Sequence, residues 1–172
     1  YFTGKMFNLE YKNCKVFFVG DGADELFGGY EHYRKINWQS TKEKNLSPYS
    51  NFVNKKYVVQ KFDDLEERMK NFYLKVSKKY EFLKKKERNI QSSLFTDYFF
   101  SALSVYNIGN DLVCCNHAIE PRNVFIQKEI LKNIINLPAK YKINKDNKNL
   151  FKLNPLLKKI FLRYYSKDLI FK

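Results

Sequence analysis

Three carboxylates fall within five residues, Asp21, Asp24 and Glu25, set among Gly20, Gly22, Gly28 and Gly29. Like charges packed this closely repel one another unless a cation or a protonated partner joins them. The apolar run Val16-Phe17-Phe18-Val19 enters this loop, and the apolar-periodic series Leu26, Phe27, Tyr30, Tyr33 leaves it. Strand, tight turn and helix in that order place acidic side chains and bare backbone N–H groups at the carboxyl end of a strand. That is where open α/β sheets bind ligands. The chemistry that suits the loop is a cation-assisted phosphate or acyl site. A plainer account fits the same residues: acids in the first turn of a helix complement its dipole.

A second polar set, Asp111, His117, Glu120 and Arg122, lies far downstream. Glu120 and Arg122 are two residues apart, so in an extended segment they point the same way. A buried pair of that kind can position a polar substrate or hold two helices together.

The elements that must position these residues read as follows. Residues 15–19 are almost continuously apolar, as in a strand covered on both faces. Such a strand needs parallel neighbours. None is legible downstream, which places them in sequence upstream of this chain. Glu25 to Asn37 reads as one helix, in which Gly28 and Gly29 cost propensity unless another backbone or a ligand comes close. His32 on that helix reads as solvated. Residues 38–56 read as a loop with a short helix. From Tyr57 to Arg88 the chain reads as a basic, amphipathic helical insert, with Leu65, Met69, Phe72, Val76 and Tyr80 on its apolar face. Residues 92–109 read as an aromatic-rich helix that Gly109 and Asn110 stop, followed by a short helix to Ala118. A further helix ends at Leu137-Pro138, and Lys145 to Lys148 form a polar turn. The last helix spans about Leu150 to Ser166 with Leu153, Leu156, Leu157, Ile160, Phe161 and Tyr164 inward. Pro155 fits its first turn, which moves the start to Asn154.

The composition narrows the class of protein. The 172 residues suffice for one domain with a real core, and 44% hydrophobic against 29% charged residues is ordinary for a globular chain. No apolar run approaches the roughly 20 residues of a membrane span, and no leader peptide is visible. Three cysteines, two of them adjacent, make neither a disulfide framework nor a zinc cluster, so a reducing, cytoplasmic setting is expected. The net charge of +14 invites nucleic acid as a partner. Lysine greatly outnumbers arginine, however, whereas phosphate and base recognition favours arginine forks. The abundance of Lys, Asn, Ile, Phe and Tyr reads more simply as codon bias, so a nucleic-acid role is set aside.

The stretch Gly-Asp-Gly-Ala-Asp-Glu-Leu-Phe-Gly-Gly-Tyr, from Gly20 to Tyr30, resembles the signature of the synthetase domain of glutamine-dependent asparagine synthetases. That signature reads Ser-Gly-(Glu/Asp)-Gly-(Ala/Gly)-Asp-Glu-Leu-Phe-Gly-Gly-Tyr. The downstream set is similar to the same family's Asp-Arg-Met-Ser-Met-Ala-His-Ser-x-Glu-x-Arg-x-Pro-Phe-Leu-Asp, keeping Asp111, His117, Glu120, Arg122 and Phe125. The resemblance implies an α/β fold: a partial nucleotide-binding domain of the ATP-pyrophosphatase type, mostly helical, with one buried strand at about 15–19. It implies a single domain over 1–172, a piece of a longer chain truncated at both ends. The family's Ser-Gly-Gly-x-Asp-Ser pyrophosphate loop is expected upstream, and the lysine of its Lys-x-Gly-Phe segment just past Phe171-Lys172.

The implied activity is adenylation of the aspartate side chain with ATP and Mg²⁺, then amination by ammonia released from glutamine in an N-terminal glutaminase domain. By the same resemblance Val19, Gly20, Asp21 and Gly22 contact the nucleotide, and Asp24 binds Mg²⁺. Asp21 and Glu120 are the catalytic candidates, with Asp21 a base for the incoming ammonium, and Glu25 and Arg122 give support. Four departures bear on the substrate: Val19 replaces Ser, Leu112 a basic residue, Val124 a Pro and Gln127 an Asp. They leave open a relative that forms a lactam or another amide, and a degenerate, non-catalytic binding module.

Overall fold

A computed structural model of the chain describes residues 15–35, 62–143 and 154–170. Cys14, the expected loop at 38–56 and the turn at Lys145 to Lys148 lie outside the described residues.

The strand expected at 15–19 is β1, Val16–Val19. Its parallel neighbour is present and lies downstream: β2, Glu120–Asn123, pairs with β1 in the register Val16↔Glu120 to Val19↔Asn123. The expectation that neighbours lie only upstream is therefore corrected. Pro121 hid β2 from a reading by propensity, because proline lacks the N–H that a ladder uses. The Glu120 N–H donates to the Lys15 carbonyl at 2.7 Å and starts the pairing. The expected burial on both faces is also corrected, since Phe18 is 72% exposed.

Helix α1, Ala23–Phe27, follows the turn. Gly28 then adopts φ +71°, and α2, Glu31–Lys35, starts afresh. The single helix expected from Glu25 to Asn37 is thus two short helices. The break has a packing cause. A Cβ on Gly28 would stand 2.8 Å from the Lys142 carbonyl oxygen and 2.6 Å from Ile143 Cγ1. The close backbone approach that the glycine pair suggested is present.

The insert contains α3, Phe62–Lys79, which buries Met69 and Val76, with Tyr80 just beyond its end, and stacks Phe72 on Phe99 with ring centroids 4.5 Å apart. From Met69 to Tyr80 its apolar face matches the sequence period, and the Leu65 side chain lies outside the described residues. Helix α4, Lys85–Asp97, continues through a π-helical segment, Tyr98–Tyr106, into α5, Asn107–Cys115. This run begins earlier than the expected residue 92 and passes straight through Gly109 and Asn110, which do not stop it. Ala118, at φ +52°, ends the turn after α5 and swings the chain into β2. A short 3-10 turn at Val124–Ile126 precedes α6, Lys128–Ile134, and α7, Ala139–Lys142. Pro155 does occupy the first turn of α8, Pro155–Phe161, with Asn154 before it. That helix is shorter than expected, and Ile160, Phe161 and Tyr164 are exposed rather than inward. Helix α9, Lys167–Ile170, closes the described chain. The result is a mostly helical partial α/β domain with a small parallel sheet.

Two apolar groups hold α1 and α2 in place. Leu26 and Phe27 of α1 pack with Tyr98, Ala102 and Ile135, flanked by Phe125, Leu156 and Leu157. Tyr33 of α2 packs with Ile90, Leu94, Ala139 and Ile143. Burying a side chain such as Leu26 stabilises by about 1.5–3 kcal/mol. The loop's short helix is therefore held by tertiary contacts rather than by its own length.

Lys142 is fully buried, and its ammonium donates to the Ile135 carbonyl at 2.9 Å and to Gln91 Oε1 at 3.3 Å. Burial lowers its pKa to about 7. Between pH 7 and the ordinary lysine range the unfolded chain then binds more protons than the folded one, so stability rises with pH there. Lys142→Met should flatten that rise: between pH 7 and 9.5 the parent should gain roughly 1–3 kcal/mol on the variant in denaturant titrations. Gly28→Ala combines a left-handed backbone with overlap of the Lys142 carbonyl. It should cost about 2–5 kcal/mol in the same measurement.

Candidate functional site

The turn after β1 is held by its own backbone. The Ala23 N–H donates to the Gly20 carbonyl at 3.3 Å, and the Leu26 N–H to the Gly22 carbonyl at 3.0 Å. Gly20 is exposed, and a Cβ added there would meet nothing within 4 Å, so its backbone is open to a ligand. Gly22 is different. It is buried at φ +89°, and an added Cβ would lie 3.3 Å from Ala102 Cβ in the π-helical segment. This glycine therefore serves a tight turn against a neighbouring helix. Val19 ends β1, partly buried, level with Asn123 of β2.

The three acids of the loop have three different environments. Asp21 is partly buried, and its Oδ2 accepts a hydrogen bond from Asn110 Nδ2 of α5. Asp24 Oδ1 accepts from Asn154 Nδ2, at 2.9 Å, from the residue that begins α8. Gly29 makes room for this contact, because a Cβ there would overlap the Asp24 carboxylate and fall 2.8 Å from Asn154 Nδ2. Glu25 is buried, 1% exposed. Burial holds its carboxyl above the ordinary range, against which a backbone hydrogen bond and the Tyr30 hydroxyl, donating to Glu25 Oε1 at 3.0 Å, pull it back. The mutual repulsion of the acids is thus relieved unequally: Asp21 and Asp24 each receive a carboxamide donor, and Glu25 turns inward beneath them.

Glu120 does not join this group. It lies level with Val16, three residues back along β1, roughly 10 Å from the carboxyl end of the strand. Its partner is Arg122, whose Nε donates to Glu120 Oε1 at 3.1 Å. The shared orientation of the two side chains is as the spacing suggests, but the pair is exposed, not buried. The part of the second motif that reaches the loop is its far end. The Asn123 side chain accepts from the Phe125 N–H at 3.1 Å, and Phe125 packs edge-on to Phe27 with centroids 5.9 Å apart. Gln127 donates to the Asn123 carbonyl at 3.4 Å.

The sequence reading missed three contributions. His32, expected to be solvated, lies 3.3 Å from the buried Asp97 carboxylate, which also accepts the Tyr33 hydroxyl at 2.8 Å. Asn110 was read only as a helix stop, and Asn154 only as a helix start. No local signal marks an amide whose partner is 89 or 130 residues away. Among the described residues no three His, Cys, Asp or Glu side chains converge in a way that would hold a metal. No described helix is long and apolar enough to cross a membrane.

A glycine-rich acidic turn at the carboxyl end of a parallel strand, clamped from two other helices, is the ligand-binding corner of an α/β domain. The sequence model of the asparagine synthase family matches residues 4–170, and the chain belongs to that family of ATP-dependent ligases of amino-acid biosynthesis. No curated protein and no solved structure matches the chain.

Gly29→Ala drives a methyl group into the Asp24–Asn154 contact while leaving the strand pair untouched. It should lower ATP-dependent turnover by about 100-fold, a loss that moving a site group by an ångström can cause. ATP–pyrophosphate exchange would measure it.

Proposed function

We propose that the chain is one wall of the synthetase site of a glutamine-dependent asparagine synthetase. In this reading ATP adenylates the side-chain carboxylate of aspartate, and ammonia from glutamine displaces AMP to give asparagine. The observation that carries the reading is the division of labour within the Gly20 to Gly29 loop. Two carboxylates stay near the surface on carboxamide donors, and the third is buried as an anchor.

Mg²⁺ binds through one or two carboxylates together with substrate phosphates, and keeps several waters. Asp24 suits that donor set: it is only partly buried, and one of its two oxygens is occupied by Asn154. Asp24 would hold such a cation together with a bound nucleotide, and the cation would supply positive charge to offset that of the pyrophosphate. The exposed Gly20 offers its backbone to the nucleotide, and Val19 supplies a contact without the hydroxyl that the family's serine has. Asp21 is placed to take a proton from the incoming ammonium, and Asn110 fixes one of its oxygens for the task. Glu25, turned inward onto Tyr30, holds the loop. Glu120, at the opposite end of β2, is held by Arg122, so a catalytic part for Glu120 requires approach from elements outside the described residues. The 172 residues contain no Ser-Gly-Gly-x-Asp-Ser loop, and activity is assigned to the full-length protein. The glutaminase domain and a cytoplasmic location belong to the same reading.

A second acyl substrate is favoured by one observation. Where the family has an Asp, Gln127 spends its amide on a backbone carbonyl and carries no charge. A lactam or another amide is the product in that case, and product analysis with aspartate and glutamine separates the two.

The roles assigned to Asp21 and Asp24 differ in step. Asp24→Asn should lower aspartate-dependent ATP–pyrophosphate exchange by about 100-fold or more, and asparagine formation with it. Asp21→Asn should keep most of the exchange and lose about 100-fold in asparagine formation. Equal loss of both activities in the two variants would overturn the division.

A further inference from the structure

We propose that Asn154 is a positioning residue for Asp24, committing one carboxylate oxygen to an amide so that the other faces the cation and nucleotide. The inference rests on the synthetase reading and adds a residue to it.

Three independent features converge on this contact. First, Asn154 precedes α8, where an asparagine normally turns its side-chain oxygen onto the first N–H groups of the helix. Here it makes no such cap. Its amide nitrogen goes to Asp24 Oδ1 at 2.9 Å instead, and its own Oδ1 is buried with no hydrogen-bond partner among the described residues. Second, Asn154 is held at φ +49° and ψ +44°, a left-handed conformation that asparagine tolerates better than most residues. Third, the Asp24 carboxylate occupies the volume that a Cβ on Gly29 would take, beside Asn154 Nδ2. A helix cap, a relaxed backbone and a side chain are all forgone around one hydrogen bond. The orientation of the amide follows from the same geometry, since reversing it would set an oxygen against the Asp24 carboxylate.

A carboxylate with one oxygen fixed presents the other in a single direction. Partners of this kind change metal affinity by about 10–100-fold when removed. Asn154→Gly takes away the amide and keeps the left-handed backbone, whereas Asn154→Ala takes away the amide and strains it. In the full-length protein both variants should weaken Mn²⁺ binding about tenfold in the presence of ATP, followed by water-proton relaxation. Both should raise the Mg²⁺ concentration for half-maximal exchange to match, while kcat at saturating Mg²⁺ moves less. Their thermal unfolding should differ, with Ala the less stable.

Parent-like Mn²⁺ affinity in either folded variant overturns the proposal, as does a loss that tracks stability rather than the missing amide. A tenfold loss of affinity in a protein that shows no aspartate-dependent exchange supports the positioning role and removes the aspartate reading. A parent that binds no Mn²⁺ with ATP removes the cation role of Asp24 and this proposal together.

Discussion

The site depends on the pairing of two four-residue strands. Alone, β1 is a short apolar segment ending in a charged turn, and β2 contains a proline. A two-stranded ribbon of that length is not stable in water by itself. Its register nevertheless decides what lies beside the loop. With Val19 opposite Asn123, the residues after β2 run directly past the turn, and Phe125 closes on Phe27. A slip of one residue would reverse which side chains of β2 share a face with those of β1. The apolar packing of α1 against the π-helical segment fixes the depth of the loop, and left-handed Gly22 and Gly28 permit that packing at its two ends.

The strongest signals in the sequence were local. The apolar run into Gly20, the apolar face of α3 and the proline opening α8 each follow from a period or from a residue with restricted backbone, and each is present. Errors arose where tertiary contacts overrode local preference. Gly109 reads as a stop but sits within a helix that starts at Lys85 and carries through a π-helical segment, a continuity that no single residue announces. Gly28 and Gly29 signalled a close approach, which is present, but not that Gly28 ends one helix before another begins. The strand at Glu120 was hidden by Pro121.

The candidate site was legible to a different degree. The acids of the loop and its open backbone at Gly20 stand together at the end of β1, where the pattern of residues put them. The distinction among the acids was not legible, because it depends on Asn110 and Asn154 approaching from distant helices, and on Tyr30 turning back onto Glu25. The family match runs through both motifs, and Asn123 and Phe125, at the end of the second, border the first. Glu120, at the far end of the ribbon, is paired with Arg122 instead.

The separation of these partners in sequence has a consequence for how the protein is made. Asp21 and Asp24 meet their amides across 89 and 130 residues. Contacts that close such long loops are entropically costly to form before the intervening chain has collapsed. During synthesis from the N-terminus, the acidic turn is therefore extruded long before either of its donors exists. A ribosome-bound chain ending short of residue 154 holds an Asp24 that lacks this amide donor. The arrangement makes the ligand corner one of the last parts to acquire its final geometry, after the helices that carry its donors have been delivered and docked.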